Sequence, residues 1–286
     1  VKLALGTAQF GLDYGIANRS GQVPESEIAA ILRTARDVGI VMLDTAIAYG
    51  SSEARLGAAG ISGFDVVSKL PQLGGDAAGI GTAVQGTLTR LRIPQLYGLL
   101  LHRSQDLSGP RGEAVFAALC DLKSRGLVKK IGISIYETSE LDEFVSRFSL
   151  DLIQAPYNVF DRRLETSGWL DRLKNAGIEV HTRSTFLQGL LLMQGEDRPP
   201  MFAGWAEQWS RWDGWLNETG LSPLAAALGF VCRNPDIDKV LVGVDTQAQL
   251  SDIIRVSMLS AESPPERLAT DDLSLINPAN WKSLSS

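Results

Sequence analysis

The sequence predicts an α/β protein, a single (β/α)8 TIM barrel, on three observations. β-rich runs alternate with amphipathic segments from one end to the other, without a linker between halves. Several runs, LYGLLL and KVLVGV among them, are apolar at consecutive positions, as strands covered on both faces require. Three runs in succession carry an ionisable residue at or just past their C-terminal end: VMLDTAIAYG (41–50), DVVSKL (65–70) and LYGLLLHR (96–103). In a β/α barrel those strand ends form the face where chemistry is done. The rival architecture is a doubly wound open sheet, but no G-x-G-x-x-G follows any strand-like run.

In order, the predicted strands are 2–5, 40–43, 64–68, 97–101, 130–134, 151–155, 178–182 and 239–243. Helical patterns fall at 25–38, 52–58, 77–92, 112–125, 138–147, 162–176, 222–233 and 247–258. Pro24 or Ser26 opens the first helix, and Gly39, Gly126 and Gly177 follow the first, fourth and sixth. A long insertion, about 185–221, separates the seventh strand from its helix. The tail from about 260, rich in Ser and Pro, is expected to lie across the surface of the one domain, 1–286.

With 44% hydrophobic and 21% charged residues over 286 positions, composition is that of a globular chain able to bury a large core. A net charge of −6 without a clustered Lys/Arg run argues against nucleic acid or anionic membrane as partners. No apolar stretch reaches the roughly 18 residues that span a bilayer. VKLALGTAQFG reads as a first strand rather than a signal peptide. Cys120 and Cys232, far apart among apolar neighbours, are expected to be buried free thiols of a cytoplasmic protein.

Asp44, Tyr49, Lys69 and His102 would meet at the mouth of such a barrel. Hydride reduction of a carbonyl leaves charge on oxygen, which must be stabilised or protonated. A phenol suits this, although its ordinary pKa near 10 makes it a slow donor. A nearby ammonium lowers that pKa, and a carboxylate holds the ammonium charged. Tyr49 is thus the acid/base, Lys69 its activator, Asp44 the lysine's partner and His102 the donor that polarises the carbonyl. Each residue also has a plain structural reading: a helix cap, a rim aromatic, a solvated strand end, a packed histidine. It is the coincidence of four on consecutive strands that favours chemistry.

LDTAIAYGSSEARLG (43–57), the strand ending at Lys69 and LLLHR (99–103) resemble the motifs of the aldo-keto reductase superfamily. LGTAQFGLDYG (5–15), QAPYNVFDR (154–162) and VLVGVDTQAQL (240–250) extend the resemblance in order along the chain. It implies a barrel binding NADP(H) or NAD(H) in extended form, metal-free hydride transfer to a small aldehyde or ketone, sugar-like carbonyls included, and the four roles above. By the same resemblance Ser134 and Gln154 match the residues that hold the nicotinamide carboxamide. The asparagine usual beside Ser134 is here Ile135, with Asn158 as its candidate substitute, and Tyr157 is the candidate for stacking on the nicotinamide. RSTFLQGLL (183–191) occupies the pyrophosphate loop, with Arg183, Ser184 and Leu187 as contacts. Gly243 begins the loop for the adenosine 2′-phosphate. Two positions on, where a basic residue is common, stands Asp245; ten positions on, where asparagine is common, stands Ile253; Gln249 is kept.

These departures support a rival reading, a catalytically weak nicotinamide-binding sensor or scaffold. A barrel isomerase or lyase using Tyr49 and Lys69 is a third. Trp205, Trp209, Trp212 and Trp215 would form a stripe on a helix, packed on the barrel or serving as a lid. His181 reads as a packed histidine and Trp281 as an anchor for the tail. Substrate and oligomeric state stay open at this level.

Overall fold

The computed structural model describes residues 1–74, 76–259 and 262–284. Parallel strands β1 (Leu3–Gly6), β2 (Met42–Asp44), β3 (Asp65–Leu70), β4 (Leu96–Leu101), β5 (Val128–Ser134), β6 (Leu152–Pro156), β7 (Glu179–Arg183) and β8 (Lys239–Gly243) close a barrel in chain order. The ring is sealed by β8 against β1, with Leu5 opposite Val242 and Gly6 opposite Gly243. Every predicted strand run carries one of these strands.

The helices are α1 (Ala8–Gly11), α2 (Glu25–Asp37), α3 (Ser52–Ala59), α4 (Ile80–Leu91), α5 (Gly112–Ser124) and α6 (Ser139–Phe144), then α7 (Arg163–Thr166), α8 (Trp169–Asn175), α9 (Ala206–Thr219), α10 (Pro223–Arg233), α11 (Gln247–Ser257) and α12 (Leu273–Ile276). In α2, Ile28, Ile31, Leu32 and Ala35 are buried, the one-sided spacing that pins a helix to a barrel wall. Gly39, Gly126 and Gly177 all have positive φ (77°, 73° and 70°), which ends the preceding helices without steric cost. The expected helix 162–176 is broken in two, because Gly168 adopts left-handed backbone (φ 73°) between α7 and α8.

Inside the barrel, Ala4, Met42, Val67, Leu100, Leu152 and Leu241 form a closed apolar plug. Side chains alternate along a strand with period two, so the residue two positions further stands on the same interior face, one layer nearer the mouth. Those residues are Gly6, Asp44, Lys69, His102, Gln154 and Gly243. The register of each strand against the apolar plug thus delivers the polar mouth as its next layer. Elsewhere in the barrel Glu179 accepts from the Tyr97 hydroxyl at 2.8 Å, pairs with Lys130, and contacts His181 Nε2 at 2.6 Å. Burial pushes the Glu179 carboxyl up, but these partners, His181 and Lys130 foremost, hold it down at about 2. His181 is fully buried, as a packed histidine should be.

The insertion after β7 holds three short 3-10 turns and α9. Trp209, Trp212 and Trp215 are buried along α9, and Phe160 meets the rings of Trp209 and Trp212 at 5.4 and 6.0 Å. Trp205 lies just before the helix and donates Nε1–H to Asp272 at 2.7 Å. These rings pack rather than face a cavity. The tail is more deeply seated than expected: Leu268, Leu275, Ile276 and Trp281 are buried, and Trp281 packs edge-on against Phe202 at 5.0 Å. Burial of Cys120 is corrected as well. It is exposed, since Val115, Leu119 and Leu122 define the packed face of α5 and Cys120 falls beside it; Cys232 is half-buried, and both are free thiols. Among the described residues no helix is long and apolar enough to cross a membrane.

Candidate active site

β2 is only three residues long, yet the chain beyond it stays stitched to β3. Thr45 N–H donates to Val67 O at 2.8 Å and Ile47 N–H to Lys69 O at 3.1 Å. A turn closed by Tyr49 N–H on Ala46 O (3.0 Å) then presents Tyr49 at the mouth. Gly11 backs this turn: a Cβ there would fall 1.9 Å from the Tyr49 carbonyl oxygen, so the first loop approaches only because residue 11 has no side chain. On β4 the ladder runs one residue further, with His102 N–H donating to Leu70 O at 3.1 Å.

The structure brings all four predicted residues together. Lys69 Nζ donates to Asp44 Oδ1 at 2.5 Å and to Thr45 O at 3.0 Å, with both charged side chains almost fully buried. Gln154 Nε2 reaches across the barrel to the other carboxylate oxygen at 2.7 Å, so both oxygens of Asp44 are bonded. The Lys69 ammonium lies 5.2 Å from the centre of the Tyr49 ring, and the His102 ring meets that ring edge-on at 5.9 Å and 82°.

Electrostatics differ from expectation in one respect. Burial pushes the Tyr49 phenol above its ordinary value, the Asp44 charge adds to this, and Arg183 opposes it. Lys69, tied to Asp44, does not bring the phenol down; the cation that opposes the rise is Arg183. Burial lowers the Lys69 ammonium, against the pull of Asp44. Burial, with the Lys69 and Arg183 charges, takes His102 down to about 4, so it stands neutral at pH 7 and keeps one N–H to donate. We therefore expect the acid limb of a kcat/KM–pH profile, taken with a non-titrating substrate, to fall near pH 4. A limb between 6 and 7 would mean a solvated imidazole near its usual value of about 6.5.

A cavity of about 330 Å³ runs from Asp44, Tyr49 and Gln154 past the loop after β7 to Asp245, Gln249 and Asp252. It is of the size that takes small molecules. Arg183, Ser184 and Gly243 also line it. The Gln9 carboxamide lies against Gly243, where a Cβ would come within 2.3 Å of Gln9 Nε2 and displace that side chain. Ser184, Leu187 and Gln188 have left-handed backbone (φ 63°, 49° and 54°) although none is glycine, and such strain gathers at working loops.

Three predicted contacts and one candidate substitute are placed elsewhere. Tyr157 does not line the cavity: its ring stacks on Phe230 at 5.0 Å and its hydroxyl donates to Glu165 at 2.6 Å, because three positions past Gln154 the strand alternation faces outward. Leu187 is buried in the core, and its neighbours Gln188 and Gly189 face the cavity instead. Ser134 sits beside Gln154 in the ladder, buried and outside the lining. Asn158 is no substitute carboxamide ligand, since its Oδ1 caps Phe160 N–H and Asp161 N–H and its Nδ2 donates to Ser184 O. Residues not singled out from the sequence but lining the cavity include Thr7, Gln9, Tyr14, Gln188 and Asp252. The first three lie in the run LGTAQFGLDYG, whose polar members were a usable signal. Asp252 gave none.

The family model described as "Aldo/keto reductase family" matches residues 2–266, and the chain belongs to that family. An aldo-keto reductase of Gibberella moniliformis is 28% identical over 193 residues, which cover 61% of this chain and 56% of that protein. The NADH-specific methylglyoxal reductase of Escherichia coli is 37% identical over 82 residues, 29% of this chain and 24% of that one. The chain thus matches little more than half of the first of these relatives and about a quarter of the second. Among solved structures, aldo-keto reductase AKR11C1 from Bacillus halodurans superposes with a TM-score of 0.74 at 20% identity, covering 98% of this chain and 95% of its own, and so shares the fold.

Proposed function

We propose that this protein reduces an aldehyde or ketone to an alcohol with a nicotinamide cofactor, Tyr49 delivering the proton. The observation that carries the reading is the buried Asp44–Lys69 pair set beneath Tyr49, with neutral His102 edge-on to the same ring. The cofactor, when bound, supplies the hydride. Tyr49 gives its hydroxyl proton to the carbonyl oxygen, and the remaining N–H of His102 donates a hydrogen bond to that oxygen. Asp44 holds Lys69 charged and in place, while Gln154 holds Asp44. With its amide nitrogen engaged there, Gln154 keeps Oε1 as an acceptor for a carboxamide N–H.

The far end of the cavity bears on which nicotinamide is used. Asp245 lines it with Asp252, and Asp245 Oδ1 is buried with no hydrogen-bond partner among the described residues. Burial raises the Asp245 carboxyl, Gln249 opposing and Asp13 adding to the rise. Lys239 is no counter-charge, since it starts β8 and bonds to Val1 O; Arg255 is engaged with Asp252 at 3.0 Å. A ribose 2′-hydroxyl donates a hydrogen bond to such a carboxylate, whereas a 2′-phosphate brings about −1.5 to −2 charges against it. NADH is therefore the favoured cofactor, in line with what the Escherichia coli relative's name states of that protein. Fluorescence titrations should show NADH binding more tightly than NADPH. Asp245→Arg should tighten NADPH about tenfold, roughly 1.4 kcal/mol, and change NADH little. A parent that binds NADPH about a hundredfold tighter than NADH, some 2.7 kcal/mol, would overturn the preference. Tight cofactor binding with no turnover of any carbonyl would instead favour the sensor reading.

A further inference from the structure

Arg183 is the single basic residue among those lining the cavity, and it ends β7 on the same interior face as His181. Its guanidinium is fixed by neutral partners: Nη2–H donates to Ile135 O at 2.8 Å, Nη1–H reaches Ser184 Oγ at 3.3 Å, and the plane lies 4.4 Å from the centre of the Tyr136 ring. Two other shielded arginines have a carboxylate, Arg163 with Asp161 and Arg198 with Asp213. Arg183 forms no ion pair among the described residues. Arg55 and Arg162, which bond to backbone carbonyls, lie outside the cavity lining.

At the reacting end, Asp44 and Lys69 cancel, His102 is neutral, and Arg183 leaves one net positive charge. The chain as a whole is at −6, so this charge is local and set against the general field. It is also felt at the chemistry: Arg183 opposes the rise of Tyr49 and depresses Lys69 and His102.

We propose that Arg183 anchors a carboxylate on the substrate, so that the protein reduces 2-oxo acids and related carbonyl compounds bearing a carboxylate beside the reacting carbonyl. The inference rests on the reductase reading above and names the substrate class of that same site. A half-buried guanidinium, oriented by neutral partners and without a carboxylate of its own, is the group best matched to a planar carboxylate. Held there, the adjacent carbonyl is brought to Tyr49 and His102. The carbonyl carbon gains a hydride from the reduced cofactor, the oxygen gains the Tyr49 proton, and the carboxylate is unchanged. The products are a 2-hydroxy acid and oxidised cofactor, and solvent returns the proton to Tyr49.

The test compares phenylglyoxylate with its methyl ester, with neutral phenylglyoxal as a control carbonyl. The ester is the more electrophilic, so chemistry alone favours it. The parent should nonetheless prefer the acid in kcat/KM by about 10- to 100-fold, the span expected of a hydrogen bond to a charged group. Arg183→Gln should abolish that preference, chiefly through KM for the acid, and Arg183→Lys should restore part of it. Reading the ratio cancels any general loss of activity.

A second readout needs no turnover: calorimetric titration of benzoate and benzamide into the protein, with and without NAD. Benzoate should bind the parent at least about tenfold more tightly than benzamide, and Arg183→Gln should lose the difference. An ester preference in the parent, an acid-to-ester ratio unchanged by Arg183→Gln, or benzoate binding no better than benzamide would overturn the anchor. So would a loss of NADH affinity of about tenfold in Arg183→Gln, which would assign the residue to the pyrophosphate instead. Failure of the reductase reading looks different: no carbonyl, phenylglyoxal included, is turned over with either cofactor, while benzoate binding still reports on Arg183.

Discussion

Replacing Tyr49 by phenylalanine should lower turnover of a good carbonyl substrate by about 10² to 10⁴-fold, the usual contribution of a positioned general acid. The ring would stay where it is. No hydrogen bond to the Tyr49 hydroxyl is made among the described residues, and the contacts of the ring with His102 and the Lys69 ammonium belong to its face and edge. Stability and cofactor affinity should therefore move little, and the loss should appear in kcat and kcat/KM alike, as for an interaction made only in the transition state. Steady-state rates beside a cofactor titration and a melting curve check this. Turnover equal to the parent's would show that another group protonates the oxygen.

Lys69→Met should damage both folding and chemistry. The ammonium is almost fully buried and is the ionic partner of an equally buried Asp44. Removing it leaves a carboxylate in the barrel with only Gln154 to bond it. Breaking a buried pair in this way costs about 3–5 kcal/mol. At roughly 2 to 4 °C per kcal/mol for a chain of this size, the midpoint of unfolding should fall by about 6 °C or more. The double variant Lys69→Met with Asp44→Leu separates the two effects. Replacing both charges by apolar groups of similar size is often neutral or stabilising, so the melting point should recover while turnover does not. If the single variant does not fold, the double variant still reports on chemistry. Full activity in the double variant would remove the pair from the mechanism.

Asp44, Lys69 and His102 were legible because alternation along a strand is a local rule. Each stands two residues past an apolar member of the interior plug, namely Met42, Val67 and Leu100. The same rule accounts for Gln154, two past Leu152, which the family resemblance had matched to the carboxamide contact. It also sets Tyr157, three past Gln154, on the outer face, against the family resemblance, and it is silent where strands become loops. Tyr157 and Leu187 were expected at the cofactor, yet one turns outward onto Phe230 and the other into the core. The direction of a loop side chain follows from φ/ψ choices, such as the left-handed run at 187–189, that no periodicity announces. Cys120 was misplaced for a related reason, since apolar neighbours in sequence do not share a face of a helix.

By itself, then, the sequence determined the order of strands and helices, the closed barrel, and the polar layer at its mouth, because these follow from periods of two and 3.6 residues repeated along the chain. The tertiary structure alone decided how that layer is wired. It paired Gln154 with Asp44 from 110 residues away, buried Tyr49 so that its phenol is raised rather than lowered, and left Arg183 as the single basic side chain lining the cavity. Interactions between charges depend on distance and burial, and neither is a property of position in the chain.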